Sequence, residues 1–198
     1  MNFWNWLKQL FTPKPKQPEN PAYLEAKKHT GKSEYDSTFN KYLSAFWPKA
    51  GLSGYKTIIG SSFAWCGLFI LAMNSEVGLK YISGAAGARN WAKYGQAIDW
   101  KKNGIPRGAV LHINGNTDCS SGSGNHVTFA DADCTPADLL KSGAVVPGFG
   151  GNQSNTVKRS IYPVKNLCAV RWPAEIPLPQ AITVSSDCNG STTGDSTK

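Results

Sequence analysis

Acidic residues are scarce in this chain of 198 residues: 13 Asp and Glu stand against 21 Lys and Arg, a net charge of +8. Such a surplus points to an anionic polymer or surface as partner. Nucleic acid is disfavoured, because no basic cluster or nucleic-acid motif accompanies the charge. Long apolar runs are missing too. The longest, residues 63–73, has 11 residues and includes Cys66 and Gly67, too short for a membrane span, so it reads as a buried core helix. The first residues, MNFWNWLKQLF, lack the basic region, apolar run and small-residue cleavage site of a secretory leader. If the protein works outside its cytoplasm, something other than a cleaved leader is expected to release it. Internal repeats are absent as well.

What is present is enough for a core. Hydrophobic residues make up 40% and aromatics 11%, which excludes a fully disordered chain. Five cysteines are an odd number, so one stays unpaired in a monomer. Cys66 stands alone in an apolar stretch, whereas Cys119, Cys134, Cys168 and Cys188 lie among turn-rich segments. Two disulfides and one free thiol imply an oxidising compartment, and the alternative is five free thiols. Of the three connectivities, Cys119–Cys134 with Cys168–Cys188 is expected. The first pair flanks one strand and closes a loop of about 15 residues, and the second ties down the tail.

Three regions follow from patterning. Residues 1–20 place Phe3, Trp6, Leu7 and Leu10 on one helical face and continue into a proline-rich spacer reaching roughly 30 Å. This is a hook for a membrane surface or carrier protein, or an element that folds back on the main domain. Residues 21–174 form the main domain, and residues 175–198 read as a flexible tail. In the main domain, helices are expected after Asn20, over 37–47, over 63–76 with Ser61 or Ser62 as cap, and over ARNWAKY. Five β-rich segments follow, at 108–113, 126–131, 144–150, 156–164 and 167–172. Helices first and strands second predict an α+β fold, with N-terminal helices on an antiparallel sheet of about five strands.

The chemistry concentrates in three places. Cys66 lies near the start of the most apolar helix, where free N–H groups and the helix dipole favour a thiolate. Taken alone it also fits an ordinary buried cysteine. His29 is expected to be exposed, and His112 reads as an ordinary half-buried histidine. His126 follows the polar loop SSGSGN and opens an apolar strand, so it is presented at a sheet rim. Beside Cys66 it would complete a thiolate–imidazolium pair, with helix N–H groups as an oxyanion hole. Asn152 is the polar candidate for holding the ring's other nitrogen. A zinc site from His112, Cys119, His126 and Cys134 is disfavoured, because the spacings match no ordinary zinc pattern.

WCGLF on an apolar helix, PRGAVLHI, NHVTFADAD, GGNQSNTV, IYPV and VRWP occur in one order across residues 22–173. In this the chain resembles the papain-like cell-wall peptidases of the CHAP type (cysteine, histidine-dependent amidohydrolase/peptidase), relatives of the NlpC-type hydrolases. The resemblance implies a papain-like fold and cleavage of a peptidoglycan amide bond, as endopeptidase or N-acetylmuramoyl-L-alanine amidase. Cys66 would be the nucleophile, His126 the general base and acid, and Asn152 the orienting group. Gln153 is the rival for that last role, and Trp65 and Gln153 are expected to bind substrate. No metal or organic cofactor is implied. The chain departs from the family pattern at Ala109, Asn125 and Gly150, and residues 132–145 form a longer insert. A phage lysin or a delivered antibacterial effector, acting at the bacterial wall or periplasm with an immunity protein as possible partner, fits the missing leader. The alternative is a non-catalytic wall-binding or virion structural protein that keeps the fold.

Overall fold

The computed structural model describes residues 17–60 and 64–188. The hook at residues 1–11, the caps Ser61 and Ser62, and the last ten residues of the tail lie outside them.

Helix α1 (Pro21–Lys27) begins where Asn20 and Pro21 set it. The Asn20 side chain accepts the N–H of Ala22 at 3.0 Å and donates to the carbonyl of Gly108 at 2.8 Å, so one buried residue both caps the helix and ties it to the sheet. Asp131 provides a second anchor, binding Tyr23 Oη at 2.6 Å, Lys27 Nζ at 2.9 Å and Arg159 Nε at 3.1 Å. Helix α2 (Ser37–Ser44) is capped by Asp36 and stops earlier than the expected Trp47. Helix α3 (Cys66–Glu76) is buried on almost every side, as its apolar sequence requires. It starts at Cys66 rather than Phe63. Trp65 holds the N-cap position without a side-chain cap bond, because a cap must accept and an indole N–H can only donate; that N–H goes to Glu34 at 2.8 Å. The ARNWAKY segment is a 3₁₀ turn (Ala88–Lys93) rather than an α-helix.

The sheet is antiparallel throughout and has six strands. They are β1 (Gln96–Ala97), β2 (Val110–Asn114), β3 (Asn125–Ala130), β4 (Val145–Gln153), β5 (Thr156–Pro163) and β6 (Leu167–Trp172), in the spatial order β1-β6-β2-β3-β4-β5. The unexpected sixth strand is the two-residue edge β1. Two single-turn helices, α4 (Trp100–Asn103) and α5 (Pro136–Leu139), also escaped the sequence reading. Strands β4 and β5 meet at a tight turn in which Ser154 and Asn155 both have positive φ, the conformation that two-residue hairpins need. One face of the sheet carries Val110, Val127, Phe129 and Phe149 against the helices. The other carries Leu111, Ile113, Ala130 and Val146 against the C-terminal chain.

The disulfides are Cys119–Cys168 and Cys134–Cys188, not the expected pairs. Topology explains the correction. Cys119 and Cys134 lie beyond opposite ends of β3, a six-residue strand that spans about 20 Å. By contrast, β2 and β6 are neighbours, which brings Cys168 beside the loop carrying Cys119. The tail is therefore not free through residue 188. It returns along the insert, with the N–H of Ser186 bonding the carbonyl of Asp133 and Cys188 reaching Cys134. Closing loops of 49 and 54 residues is worth about 4 kcal/mol each in the chain-entropy description. Peptide mapping without reductant should recover the 119–168 and 134–188 peptides. Recovery of a 119–134 peptide from folded protein would contradict this topology.

Two glycines set how closely layers approach. A Cβ on Gly151 would meet Trp65 Cζ3 at 2.4 Å and Phe69 at 2.8 Å, and one on Gly67 would meet the carbonyl of Ala85 at 2.4 Å. Gly151→Ala should lower unfolding free energy by about 1–3 kcal/mol, read by denaturant titration, as an overpacked core does.

Candidate active site

The N-terminal turn of α3 and the strand β3 converge where the sheet is incomplete. Strand β3 pairs with β4 only at Phe129↔Phe149 and Ala130↔Gly148. Towards the His126 end the ladder is open, and the β4–β5 register shifts between Gly150 and Gln153. Ala130 sends its N–H to Ala109, just before β2. By the alternation of the ladder, Val127 directs its N–H to the β4 side, into the opening. The Cys66 thiol takes that N–H, and the N–H groups of Gly67 and of Cys66 itself also point at the sulfur. The nucleophile candidate thus sits against the backbone one residue past His126.

Strand alternation turns His126 to the opposite face from Val127. There its ring stacks on Tyr162, with centroids 5.6 Å apart. Tyr162 donates its hydroxyl to Gln153 Oε1 at 2.7 Å, and burial holds its phenol well above the ordinary pKa. His126, Tyr162 and Gln153 thus form one group on this face, and among the described residues no hydrogen bond joins Cys66 to the His126 ring. The Nε2 atom of His126 is enclosed and has no hydrogen-bond partner.

The electrostatics differ from the expected ion pair. Burial raises the Cys66 thiol above its ordinary value and outweighs the three N–H groups that lower it. Burial alone pushes His126 down to about 4. The resting pair is a neutral thiol and a neutral imidazole. The free N–H groups at the helix start are real, but desolvation of the sulfur is the larger effect.

The remaining candidates separate. Asn152 lies in the β4 bulge at φ +60°, half-buried, with no side-chain hydrogen bond among the described residues. Gln153 is buried and fully engaged. Besides accepting from Tyr162, it donates to the carbonyl of Lys158 at 2.7 Å and reaches Thr128 Oγ1 at 3.5 Å. Neither bonds the His126 ring, and Gln153 reaches it only through Tyr162. Trp65 is 1% exposed among Phe39, Phe69 and Glu34, which leaves no face for substrate and makes it a support for the start of α3. His29 is not freely exposed either: its ring stacks on Tyr42 at 5.2 Å. Cys119 and Cys134 are consumed by disulfides, which removes them as metal ligands.

Sequence reading missed Tyr162, although alternation along β5 places it on the His126 face. It also missed Asn125 as a fixing point for the loop before His126. Its Nδ2 donates to the carbonyls of Ser121 and Ser123, and its Oδ1 bonds His112 Nε2 at 2.8 Å. Comparison of the chain with protein-family models, with curated proteins and with solved structures finds no match.

All three histidines are held below the ordinary 6.5 by burial. As pH falls from 6.5 the unfolded chain gains protons that the native state refuses, so stability should decline and level off below about 4, where His126 finally protonates. His126→Gln should flatten part of this slope. NMR titration of the ring protons should place the His126 midpoint near 4, and a midpoint at or above 6.5 would show that the ring is not enclosed.

Proposed function

We propose that this protein is a peptidoglycan hydrolase of the papain-like, CHAP type, cleaving an amide bond of the cell-wall peptide. The observation that carries the reading is the placement of the Cys66 sulfur at the first turn of a buried helix, against the backbone of Val127, the residue that follows His126. A cysteine kept only for packing needs no set of backbone N–H groups turned to its sulfur.

With both groups neutral at rest, proton transfer accompanies attack. The Cys66 proton passes to His126 Nε2 as the sulfur bonds to the amide carbonyl carbon. The resulting oxyanion is stabilised by N–H groups at the start of α3, which have no partner in the helix. The imidazolium then gives its proton to the departing amine as the C–N bond breaks, leaving a thioester. Water, deprotonated by His126, hydrolyses the thioester and returns the thiol. Tyr162 supports the imidazole face, and Gln153 holds Tyr162. Asn152, in the bulge, is the orienting candidate that remains free to turn towards the ring. The charge of +8 suits an anionic wall, and the two disulfides suit an oxidising compartment such as the periplasm. A phage lysin and a delivered effector both meet these conditions.

Cys66→Ser and His126→Ala should each lower the rate of peptidoglycan digestion by at least about 10³-fold with little change in melting temperature. The measurement is turbidity loss of purified walls, with new amine and carboxyl ends identified by mass spectrometry. Wild-type clearance by Cys66→Ser would remove the hydrolase assignment and favour a wall-binding or virion structural role. In the same assay Asn152→Ala should reduce turnover, whereas Gln153→Ala should chiefly lower the melting temperature.

A further inference from the structure

A second cleft, of about 370 Å³, opens between the 3₁₀ turn Ala88–Lys93 and β2, within the range of small-ligand sites. Arg89, Asn90 and Lys93 line one side, His112 forms part of the lining, and the Cys119–Cys168 disulfide closes another wall. Among the described residues, no carboxylate lies within ion-pair distance of Arg89 or Lys93, and both are exposed. Asp118, on the loop carrying Cys119, is the acid within electrostatic reach of Arg89.

His112 defines what else the cleft asks of a ligand. Asn125 uses its amide nitrogen on Ser121 and Ser123, so its Oδ1 is an acceptor, and His112 Nε2 must be the donor in their 2.8 Å bond. The other nitrogen, Nδ1, then carries a bare lone pair. It is enclosed, without a partner, on a residue only 1% exposed. A ligand that fits offers an anion to the two cations and an N–H to Nδ1. A phosphodiester provides acceptors alone. A carboxylate next to an amide N–H, as in a peptide, provides both.

The cleft adjoins the candidate active site. His112 faces Val127 across the β2–β3 ladder, and Asn125, its hydrogen-bond partner, precedes His126. The segment leading into the 3₁₀ turn lies against Gly67, beside the nucleophile. We infer that this cleft is a subsite for a carboxylate of the wall peptide, seated by Arg89 and Lys93 with a neighbouring N–H on His112. The inference rests on the proposed hydrolase reading for the identity of the peptide, and its test separates the two.

Calorimetric titration of the full-length Cys66→Ser protein with the peptide L-Ala-γ-D-Glu-L-Lys-D-Ala-D-Ala measures binding without turnover. Arg89→Ala and Lys93→Ala in that background should each weaken Kd by about tenfold, the worth of one charge-assisted hydrogen bond. Amidating the peptide's C-terminus, or separately the Glu α-carboxyl, identifies which carboxylate is held, and one of the two should show a comparable loss. The inference is overturned if the unmodified peptide does not bind, if both amidated peptides bind within twofold of the parent, or if both alanine variants do so. Digestion of walls by protein retaining Cys66 runs alongside. Digestion whose KM ignores Arg89 and Lys93 rejects the subsite and leaves the hydrolase standing. Absence of digestion with carboxylate-dependent binding intact does the reverse.

Discussion

The site depends on a sheet that is left unfinished. Two adjacent antiparallel strands normally bond along their shared length, yet β3 and β4 part after two residue pairs. Gly150 still lies against Thr128 of β3, and beyond it Gly151 presses so closely on Trp65 and Phe69 that no side chain fits there. The bulge between Gly150 and Gln153 takes up the mismatch. An open ladder leaves the Val127 N–H without a strand partner, and a buried donor without a partner is costly. The Cys66 sulfur fills that role. Helix placement, strand irregularity and thiol environment are thus one arrangement seen from three sides.

The same burial that builds the site opposes its ionisation. Three N–H groups favour a thiolate, and enclosure in an apolar core favours the thiol more strongly. His126 obeys the same logic from the other direction. A neutral resting pair spares the sulfur from adventitious oxidation, since the thiolate is the reactive form. Under the proposed hydrolase reading, activation would belong to the encounter with substrate, when a polar amide changes the local dielectric.

The strands were legible from β-branched and aromatic runs between turn residues, and α3 from its all-round apolarity. These are local patterns. Its start was misplaced by three residues because the serines ahead of it look like caps, whereas the helix begins at Cys66, just after a Trp65 that is tied to Glu34. Trp65 looked like a substrate platform because it adjoins Cys66, but adjacency in sequence says nothing about which way a ring points. Tyr162 was passed over for a related reason: its partnership with His126 crosses from β3 to β5. The cysteine pairing failed on geometry. Proximity along the chain suggested Cys119–Cys134, and a strand of fixed rise stands between them. Papain-like topology was suggested by motif order, while the α+β layering followed from element order alone.

The two bridges interleave, since 119 joins 168 and 134 joins 188. A ribosome delivers the chain N-terminus first, so Cys119 and Cys134 become available to one another before either native partner exists. Short-range closure is entropically easier than long-range closure in an unstructured chain. Oxidation before the sheet is complete would therefore favour Cys119–Cys134, a crosslink absent from the finished fold. Correct oxidation must wait until β6 docks against β2 and the last segment has threaded back past the insert. If oxidation precedes folding, the early bond would have to be undone, while the fifth thiol, sealed at the start of α3, stays out of the shuffling once the core has closed.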